Sequence, residues 1–187
     1  MKENMAENKT IETYMKNDER LAQAILEAFS KLYIYDKHLI INKPNDDNES
    51  IGFHHVGERS IVFRFAFYLQ EILSSNKIYS DYNLDCEYNR NGTKPKRISA
   101  LGRNVYPDLI IHQRGNNDNN LLVMEFKTYW NRKQKDDIKK IKAFISDSTE
   151  EGYNYKYGIA VLINQNSINL KMFDKQETRF TYNVQFP

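Results

Sequence analysis

The sequence predicts an α/β fold in which a mixed central β-sheet is flanked by helices. Two segments, about 18–33 and about 58–74, carry apolar residues at the helical spacing of three and four positions. Two others, 106–113 and 121–129, have the character of strands joined by a tight polar turn. The run YGIAVLI at 157–163 is typical of a central strand buried on both faces. Because helices and strands alternate in this way, we expect them to pack in layers around one sheet.

Length and composition favour one domain over residues 1–187, with residues 1–8 disordered, a short strand at 38–41 and a solvated loop at 42–50. No segment reaches the roughly 20 apolar residues that span a bilayer, and the first residues do not resemble a signal peptide. The single cysteine, Cys86, excludes an internal disulfide framework. We therefore expect a cytoplasmic protein that has no membrane partner.

A net charge of only +2 means that any surface for nucleic acid must be local. The segment 89–106 is the best candidate, since it has five basic residues and no acidic one, and its glycines and proline predict a loop. It can be interpreted as a clamp for phosphates or as an ordinary solvated loop. The five residues are Arg90, Lys94, Lys96, Arg97 and Arg103.

The predicted hairpin carries three charged residues whose positions depend on its register. If residues 116–117 form a two-residue loop, Asp108 lies directly opposite Glu125. If the loop closes at 117–118, Asp108 lies opposite Lys127 instead. Directly paired residues point to the same side of a sheet, so both registers place the three charges on one face. A register shifted by one residue would separate them.

Two carboxylates and one ammonium group on a single face suggest a metal site. Like charges held close together repel, and the repulsion is relieved by a proton or a cation. Hard oxygen ligands of this kind suit Mg²⁺ or Mn²⁺, and a nearby lysine can orient a water molecule. The alternative is an ordinary cross-strand pair between a lysine and a carboxylate on a solvated face.

The residues Pro107-Asp108 and Glu125-Phe126-Lys127 resemble the PD-(D/E)XK motif of the restriction-endonuclease-like nuclease superfamily. The resemblance extends over about 57–163. It implies a restriction-endonuclease-like core of the order αβββαβ.

The resemblance also implies roles for the motif residues. Asp108 and Glu125 would bind a Mg²⁺ or Mn²⁺ ion together with the Phe126 carbonyl group, and Lys127 would position the attacking water. The expected function is that of a metal-dependent nuclease hydrolysing phosphodiester bonds, most simply in DNA, as a possible homodimer. The alternative is a catalytically silent module that keeps the fold and binds nucleic acid or protein.

The helix predicted at about 58–74 begins with an acidic residue on its apolar side. At 100° per residue, Glu58 lies in the middle of the stripe that contains Val62, Phe65 and Leu69. One interpretation is a first-turn glutamate favoured by the helix dipole. The other, which the resemblance supports, is a third acidic group supplied to the metal site.

Other positions near the motif remain open. On the strand predicted at 82–88, Glu87 either joins the site or lies at its edge, while Cys86 falls on the apolar face and is expected in the core. His112 shares a face with Asp108 and is a candidate for substrate contact.

The last alternatives concern aromatic, histidine and lysine residues. Phe63 and Phe67 lie off the apolar stripe, and we expect them to pack under the N-terminal helix or to form a partner surface. His54 and His55 lack partners at zinc-ligand spacing. Apolar residues at 138–145 predict a helix whose basic residues form its wet face or follow a nucleic-acid backbone. These are Arg132, Lys133, Lys135, Lys139, Lys140 and Lys142.

Overall fold

The computed structural model describes residues 10–41, 55–147, 152–175 and 179–187. The α-helices are α1 (Ile11–Tyr14), α2 (Glu19–Tyr35), α3 (Glu58–Ser75) and α4 (Lys135–Ile145), and 3-10 turns occur at Lys37–Leu39 and Ser99–Leu101. The strands are β1 (Asn83–Cys86), β2 (Arg90–Asn91), β3 (Lys94–Pro95), β4 (Arg97–Ile98), β5 (Arg103–Asn104), β6 (Leu109–His112), β7 (Asn120–Thr128), β8 (Tyr157–Ile163), β9 (Ser167–Phe173) and β10 (Arg179–Gln185).

Six of the strands form one mixed sheet in the order β1-β6-β7-β8-β9-β10. All neighbouring pairs are antiparallel except β7 and β8, which are parallel and joined through α4. A parallel pair needs such a crossover, because the chain must return to the edge at which the first strand began. The predicted α/β architecture, a mixed sheet flanked by helices, is therefore confirmed.

The two faces of the sheet are covered by different helices. Met124 and Phe126 of β7 point to the face covered by α2 and α3, where Phe126 packs with Phe65 at a centroid distance of 5.3 Å. Val123 points to the opposite face, which α4 covers. There Gly158 lets α4 approach, since a Cβ at that position would lie 2.4 Å from Cγ2 of Ile141. Strand β7 is thus buried on both sides.

The register between β6 and β7 follows the first of the two predicted alternatives. Leu109 lies opposite Met124, and one further step along both strands places Asp108 opposite Glu125. The strand begins after Pro107, which has no N–H group for a ladder hydrogen bond, and so is shorter than the predicted 106–113.

The connection that produces this register differs from the predicted two-residue turn. It comprises residues 113–119, and at its end His112 pairs with Asn120. Continued along the strands, that pairing would separate the two carboxylates. Leu121 is an extra residue between the pairs, and this β-bulge shifts the register by one and returns both carboxylates to one face.

Three local predictions are wrong in whole or in part: the strand at 38–41, the packing of Phe63 and Phe67, and the burial of Cys86. Residues 37–39 form a 3-10 turn rather than a strand, because the backbone of α2 continues into it through Asp36, whose carbonyl accepts from Leu39 N. Of the two alternatives for Phe63 and Phe67, packing under the N-terminal helix is wrong, since their exposed fractions are 62% and 49%, and the partner surface stays a prediction.

Cys86, expected in the core, is exposed. The predicted disordered residues 1–8 and the predicted loop 42–50 lie outside the described residues. Among the described helices, none has the length and apolar character to cross a membrane.

Candidate functional site

The structure brings together four of the residues selected from the sequence. Glu58 is the first residue of α3, Asp108 directly precedes β6, and Glu125 and Lys127 lie on β7. The Lys127 ammonium group contacts Glu58 Oε2 at 3.1 Å, and Asp108 Oδ2 accepts a hydrogen bond from the backbone N of Phe126 at 2.7 Å. Of the two interpretations of Glu58, its position therefore agrees with the inward-pointing one.

Burial makes the two carboxylates of the motif reluctant to ionise. Glu125 is only 1% exposed, and desolvation, followed by the nearby Asp108 charge, raises its pKa well above the ordinary value. Desolvation also raises the pKa of Asp108 to about 6, against the opposing effect of the hydrogen bond from Phe126 N. A proton on one of the two groups, or a nearby cation, is needed to offset the unfavourable burial of two negative charges in this position.

Lys127 is held by carboxylates on two helices. Its Nζ lies 3.1 Å from Glu58 Oε2 and 3.5 Å from Asp137 Oδ2, and it donates to the Phe126 carbonyl at 3.1 Å. Burial alone would lower the pKa of Lys127, but the negative charges of Asp137 and Glu58 outweigh it and raise the pKa above its ordinary value. Lys127 is therefore a charged ammonium group at neutral pH.

Two residues of α4 belong to the cluster and were not selected from the sequence. The Lys140 ammonium group donates to Glu125 Oε2 and lies 3.5 Å from Asp137 Oδ1. The sequence predicts that Lys140 lies on the wet face of the helix or follows a nucleic-acid backbone. This prediction is wrong, because the side chain of Lys140 is only 13% exposed and faces the sheet. Burial alone would lower the pKa of Lys140, but Glu125 and the other acidic groups raise it by more, so its pKa lies above the ordinary value.

A helical-wheel signal for Asp137 was present in the sequence. Taken as the zero angle, Asp137 has Ile141 at about +40° and Phe144 at about −20°. It therefore lies within the apolar stripe of α4, between Phe144 and Ile141, although closer to the edge of the stripe than Glu58 is in α3, because Ile138 and Ile145 fall at about +100° and +80°. The same test applied to both helices would have identified both acidic residues.

The side chain of Glu58 is positioned from the far end of β7. Asn131, which follows this strand, donates from Nδ2 to Glu58 Oε1 at 2.7 Å, while Lys127 donates to the other oxygen. With both carboxylate oxygens engaged, Glu58 is fixed at the mouth of the site.

The charges of the cluster do not balance. When all are ionised, four carboxylates (Glu58, Asp108, Glu125 and Asp137) and two ammonium groups (Lys127 and Lys140) leave a formal charge of −2. Oε1 of Glu125 and Oδ2 of Asp137 are also buried without a hydrogen-bond partner among the described residues. Asp137 Oδ2 does lie 3.5 Å from the Lys127 ammonium group, so it is the net negative charge of the ionised cluster that suits a divalent cation.

The cation would not be enclosed by side chains alone. Within the described ranges, no three His, Cys, Asp or Glu side chains are grouped so that they could hold a metal ion. Mg²⁺ is usually bound by one or two carboxylates and completes its shell with waters and substrate oxygens, so the pair Asp108 and Glu125 is the part of the cluster that fits such an ion.

A cleft of about 270 Å³ opens beside the cluster. Glu58, Asp108 and Lys127 lie in its wall. Glu87 lies at its edge, where its Oε1 accepts from Arg59 Nε at 3.0 Å. The full lining is Glu58, Arg59, Val62, Phe63, Cys86, Glu87, Asp108 and Lys127.

The basic segment folds as two small hairpins, β2–β3 and β4–β5. The two ends of this segment are joined by a hydrogen bond from Glu87 N to the carbonyl of Pro107 at 3.0 Å. Pro107 directly precedes Asp108, so the segment begins and ends beside the cluster. Lys96 cannot be part of a phosphate clamp, because it is 1% exposed, donates to the Arg90 carbonyl and lies over two tyrosine rings. Burial lowers the pKa of its amine to about 8. The other four basic side chains, those of Arg90, Lys94, Arg97 and Arg103, are exposed.

His112 has a structural role rather than a place in the cleft. Its Nε2 lies 2.9 Å from Asp85 Oδ2, and Arg114 pairs with the same carboxylate. Burial alone would raise the pKa of Asp85, but hydrogen bonds from His112 and Arg114 hold it below its ordinary value. For the zinc alternative, His54 lies outside the described residues, and the His55 ring stacks on Trp130 at 4.3 Å.

The geometry of this cluster stands without support from relatives. In comparisons with known proteins, no family model, no curated protein and no solved structure matches this chain.

Proposed function

We propose that this chain is a metal-dependent nuclease that hydrolyses phosphodiester bonds in DNA, with Mg²⁺ or Mn²⁺ as its cofactor. The observation that carries the proposal is the cluster at β7, where the Lys127 ammonium group and the Asp108 and Glu125 carboxylates meet on one sheet face beside an open cleft. With all six groups ionised the cluster carries a charge of −2, and a divalent cation that offsets this charge would also favour ionisation of Asp108 and Glu125, whose pKa values are raised by burial. Structural pairing alone would favour a neutral cluster.

The order of the elements supports a restriction-endonuclease-like core. Helix α3 is followed by β1, β6, β7, α4 and β8, which is the order αβββαβ if the two small hairpins are an insertion between β1 and β6. Within the sheet, β1, β6, β7 and β8 are consecutive neighbours. In that case the core would comprise Glu58 to Ile163.

Asp108 and Glu125, with the Phe126 carbonyl group, would hold the metal ion, and Glu58 would complete its surroundings directly or through water. When bound, such an ion polarises the scissile phosphate and lowers the pKa of an attacking water. Lys127 remains protonated beside these groups, so its ammonium group orients the water and donates hydrogen bonds to phosphate oxygens.

The remaining residues of the cluster keep these groups in place. Asn131 fixes Glu58, and Asp137 holds the ammonium groups of Lys127 and Lys140 on either side. The four exposed basic residues of the hairpins, which begin at the edge of the cleft, would contact the phosphate backbone without reading its sequence.

A second candidate is a catalytically silent module that binds nucleic acid or protein. The observation in its favour is that Lys127 and Lys140 each already pair with carboxylates of the cluster. Two internal ammonium groups could make a metal ion unnecessary. The two candidates therefore differ in whether the cluster requires a divalent cation.

The discriminating experiment measures cleavage of plasmid DNA, single-stranded DNA and RNA with Mg²⁺, with Mn²⁺ and with a chelator. Lys127→Met and Asp108→Asn remove the two functional groups, and Lys16→Met is the matched control, because Lys16 is exposed, precedes α2 and lies outside the cleft lining. We expect metal-dependent cleavage of DNA that falls at least about 100-fold in the first two variants and is unchanged in the control.

Cleavage that survives both substitutions would overturn the proposal. So would the absence of cleavage in every substrate and metal combination, and binding of nucleic acid without cleavage would then favour the silent module. Preference for RNA over DNA would correct the substrate and retain the chemistry.

A further inference from the structure

The cleft beside the acidic cluster has an unusual wall. Phe63 lies in the same lining as Glu58, Asp108 and Lys127, yet its side chain is 62% exposed. A large aromatic ring exposed in this way loses the free energy it would gain by burial, about 25 cal/mol per Å². A ring that stands open beside charged groups is suited to a ligand with both a flat apolar surface and a charge.

A second group of rings immediately precedes, along the chain, the residue that holds the Glu58 carboxylate. Asn131, which holds Glu58, directly follows Tyr129 and Trp130 on the chain. The Trp130 ring is partly buried and stacks on the exposed His55 at 4.3 Å and 10°, with Tyr129 packed edge-on at 4.7 Å. Phe63 on α3 thus lies in the cleft lining, and the Trp130 group follows β7 directly before Asn131, the residue that holds Glu58.

Cationic side chains accompany the rings. Arg59 lies in the cleft lining with a side chain that is 86% exposed. Arg132 is exposed and anchored near Trp130 by its hydrogen bond to the Tyr129 carbonyl at 2.8 Å. Rings for stacking, with cations between them for a backbone, are the two features of surfaces that bind single-stranded nucleic acid.

The dimensions of the cleft favour one strand over two. Its volume of about 270 Å³ lies just below the range of roughly 300–1,000 Å³ for small-molecule sites. In a duplex each base is already stacked on its neighbours, so its flat face is not available to a protein ring. A base of an unpaired strand can leave its neighbours and stack on an aromatic side chain.

We propose that the cleft binds an unpaired DNA strand, with a base stacked on Phe63 and the adjoining phosphate beside the Asp108–Glu125 cluster. This inference rests on the proposed nuclease function and names its substrate as single-stranded DNA. An unpaired strand has one phosphodiester chain to cut, so one copy of the protein suffices and the possible homodimer is not required.

The test measures binding without cleavage. A fluorescein-labelled oligothymidylate and a duplex of the same length are titrated with the protein in the presence of a chelator, and fluorescence anisotropy reports the affinity. Phe63→Ala removes the proposed stacking ring, and Phe63→Tyr retains one. Phe67→Ala is the matched control, since Phe67 is an exposed ring one turn further along α3 and lies outside the cleft lining.

We expect the single strand to bind more tightly than the duplex. Phe63→Ala should weaken that binding by about tenfold or more, whereas Phe63→Tyr and Phe67→Ala should stay within about twofold of the parent. The chain has one tryptophan, Trp130, which directly precedes Asn131, so its intrinsic fluorescence is a second reporter and should be quenched by unlabelled oligothymidylate.

Equal binding of single strand and duplex, or an equal effect of Phe63→Ala and Phe67→Ala, would overturn this inference. Either result leaves the nuclease proposal standing if metal-dependent cleavage is observed. Conversely, Phe63-dependent binding of the single strand without cleavage under any metal would refute the nuclease proposal and retain the binding site.

Discussion

Replacing the Asp108 carboxylate by an amide is expected to stabilise the fold above about pH 6. Below pH 3.8 the carboxyl group is protonated in both the folded and the unfolded protein. As the pH rises, the unfolded chain loses the proton first, because burial raises the pKa of the folded group to about 6. The folded state therefore loses stability across this window, and no further loss occurs once both states are ionised.

The size of the effect follows from the separation of the two pKa values. One pKa unit corresponds to about 1.36 kcal/mol, so a change from 3.8 to about 6 lowers the free energy of unfolding by at most about 3 kcal/mol. In Asp108→Asn the side chain no longer titrates, and its Oδ1 can still accept the hydrogen bond from Phe126 N. The variant should equal the parent near pH 4 and exceed it by about 1–3 kcal/mol near pH 8.

The measurement is urea unfolding followed by far-ultraviolet circular dichroism, from about pH 4 to about pH 8 with a chelator present. Asp118→Asn is the control, because it makes the same chemical change at an exposed position in the loop between β6 and β7. The reasoning is refuted if Asp108→Asn follows the pH profile of the parent, or if it is less stable than the parent near pH 8. The same variant should have lost metal-dependent cleavage.

Three further predictions concern the surroundings of this carboxylate. Lys140→Met should lower the free energy of unfolding by about 3 kcal/mol near pH 8, because it leaves Glu125 without its ammonium partner. Adding Glu125→Gln should restore most of the loss. Additive effects of the two substitutions in the double-mutant cycle would contradict the pairing. Gly158→Ala should lower the free energy of unfolding by about 1–3 kcal/mol, because the new Cβ would lie 2.4 Å from Ile141 Cγ2, and an unchanged urea midpoint would show that α4 does not pack here. Mn²⁺ at about 100 times its dissociation constant should stabilise the parent protein near pH 8 by about 2.7 kcal/mol in thermal unfolding, but not Asp108→Asn, and equal shifts would place the ion elsewhere.

The register of the hairpin shows where sequence reasoning succeeds and where it reaches its limit. Opposition of Asp108 and Glu125 was one of two predicted registers, and it is confirmed at Leu109 and Met124. The predicted reason, a two-residue turn, is wrong. The pairing of His112 with Asn120 alone would place the two carboxylates on opposite faces of the sheet, and the bulge at Leu121 shifts the register by one residue and brings them to the same face. Nothing in the local sequence pattern identified Leu121 as the residue without a partner in the ladder.

The helices show a similar division. The position of Glu58 on its apolar stripe was predicted from angles, since an α-helix has a fixed period. Asp137 had the same signal, but the abundance of lysines on α4 favoured a solvated face. Whether the side chain of a lysine extends to water or turns inward depends on the groups that lie opposite it. Lys140 turns inward because Glu125 points from β7 toward α4 and accepts its hydrogen bond.

The sequence by itself determined the α/β class, the strand carrying Glu125 and Lys127, and the acidic start of α3, because these follow from local periodicity and residue chemistry. Only the tertiary structure decided that Lys96 is buried and that α4 supplies Asp137 and Lys140 to the cluster. Both depend on which groups meet across segments distant in the chain. The electrostatic free energy of a buried charge is set by those neighbours and not by its own place in the sequence.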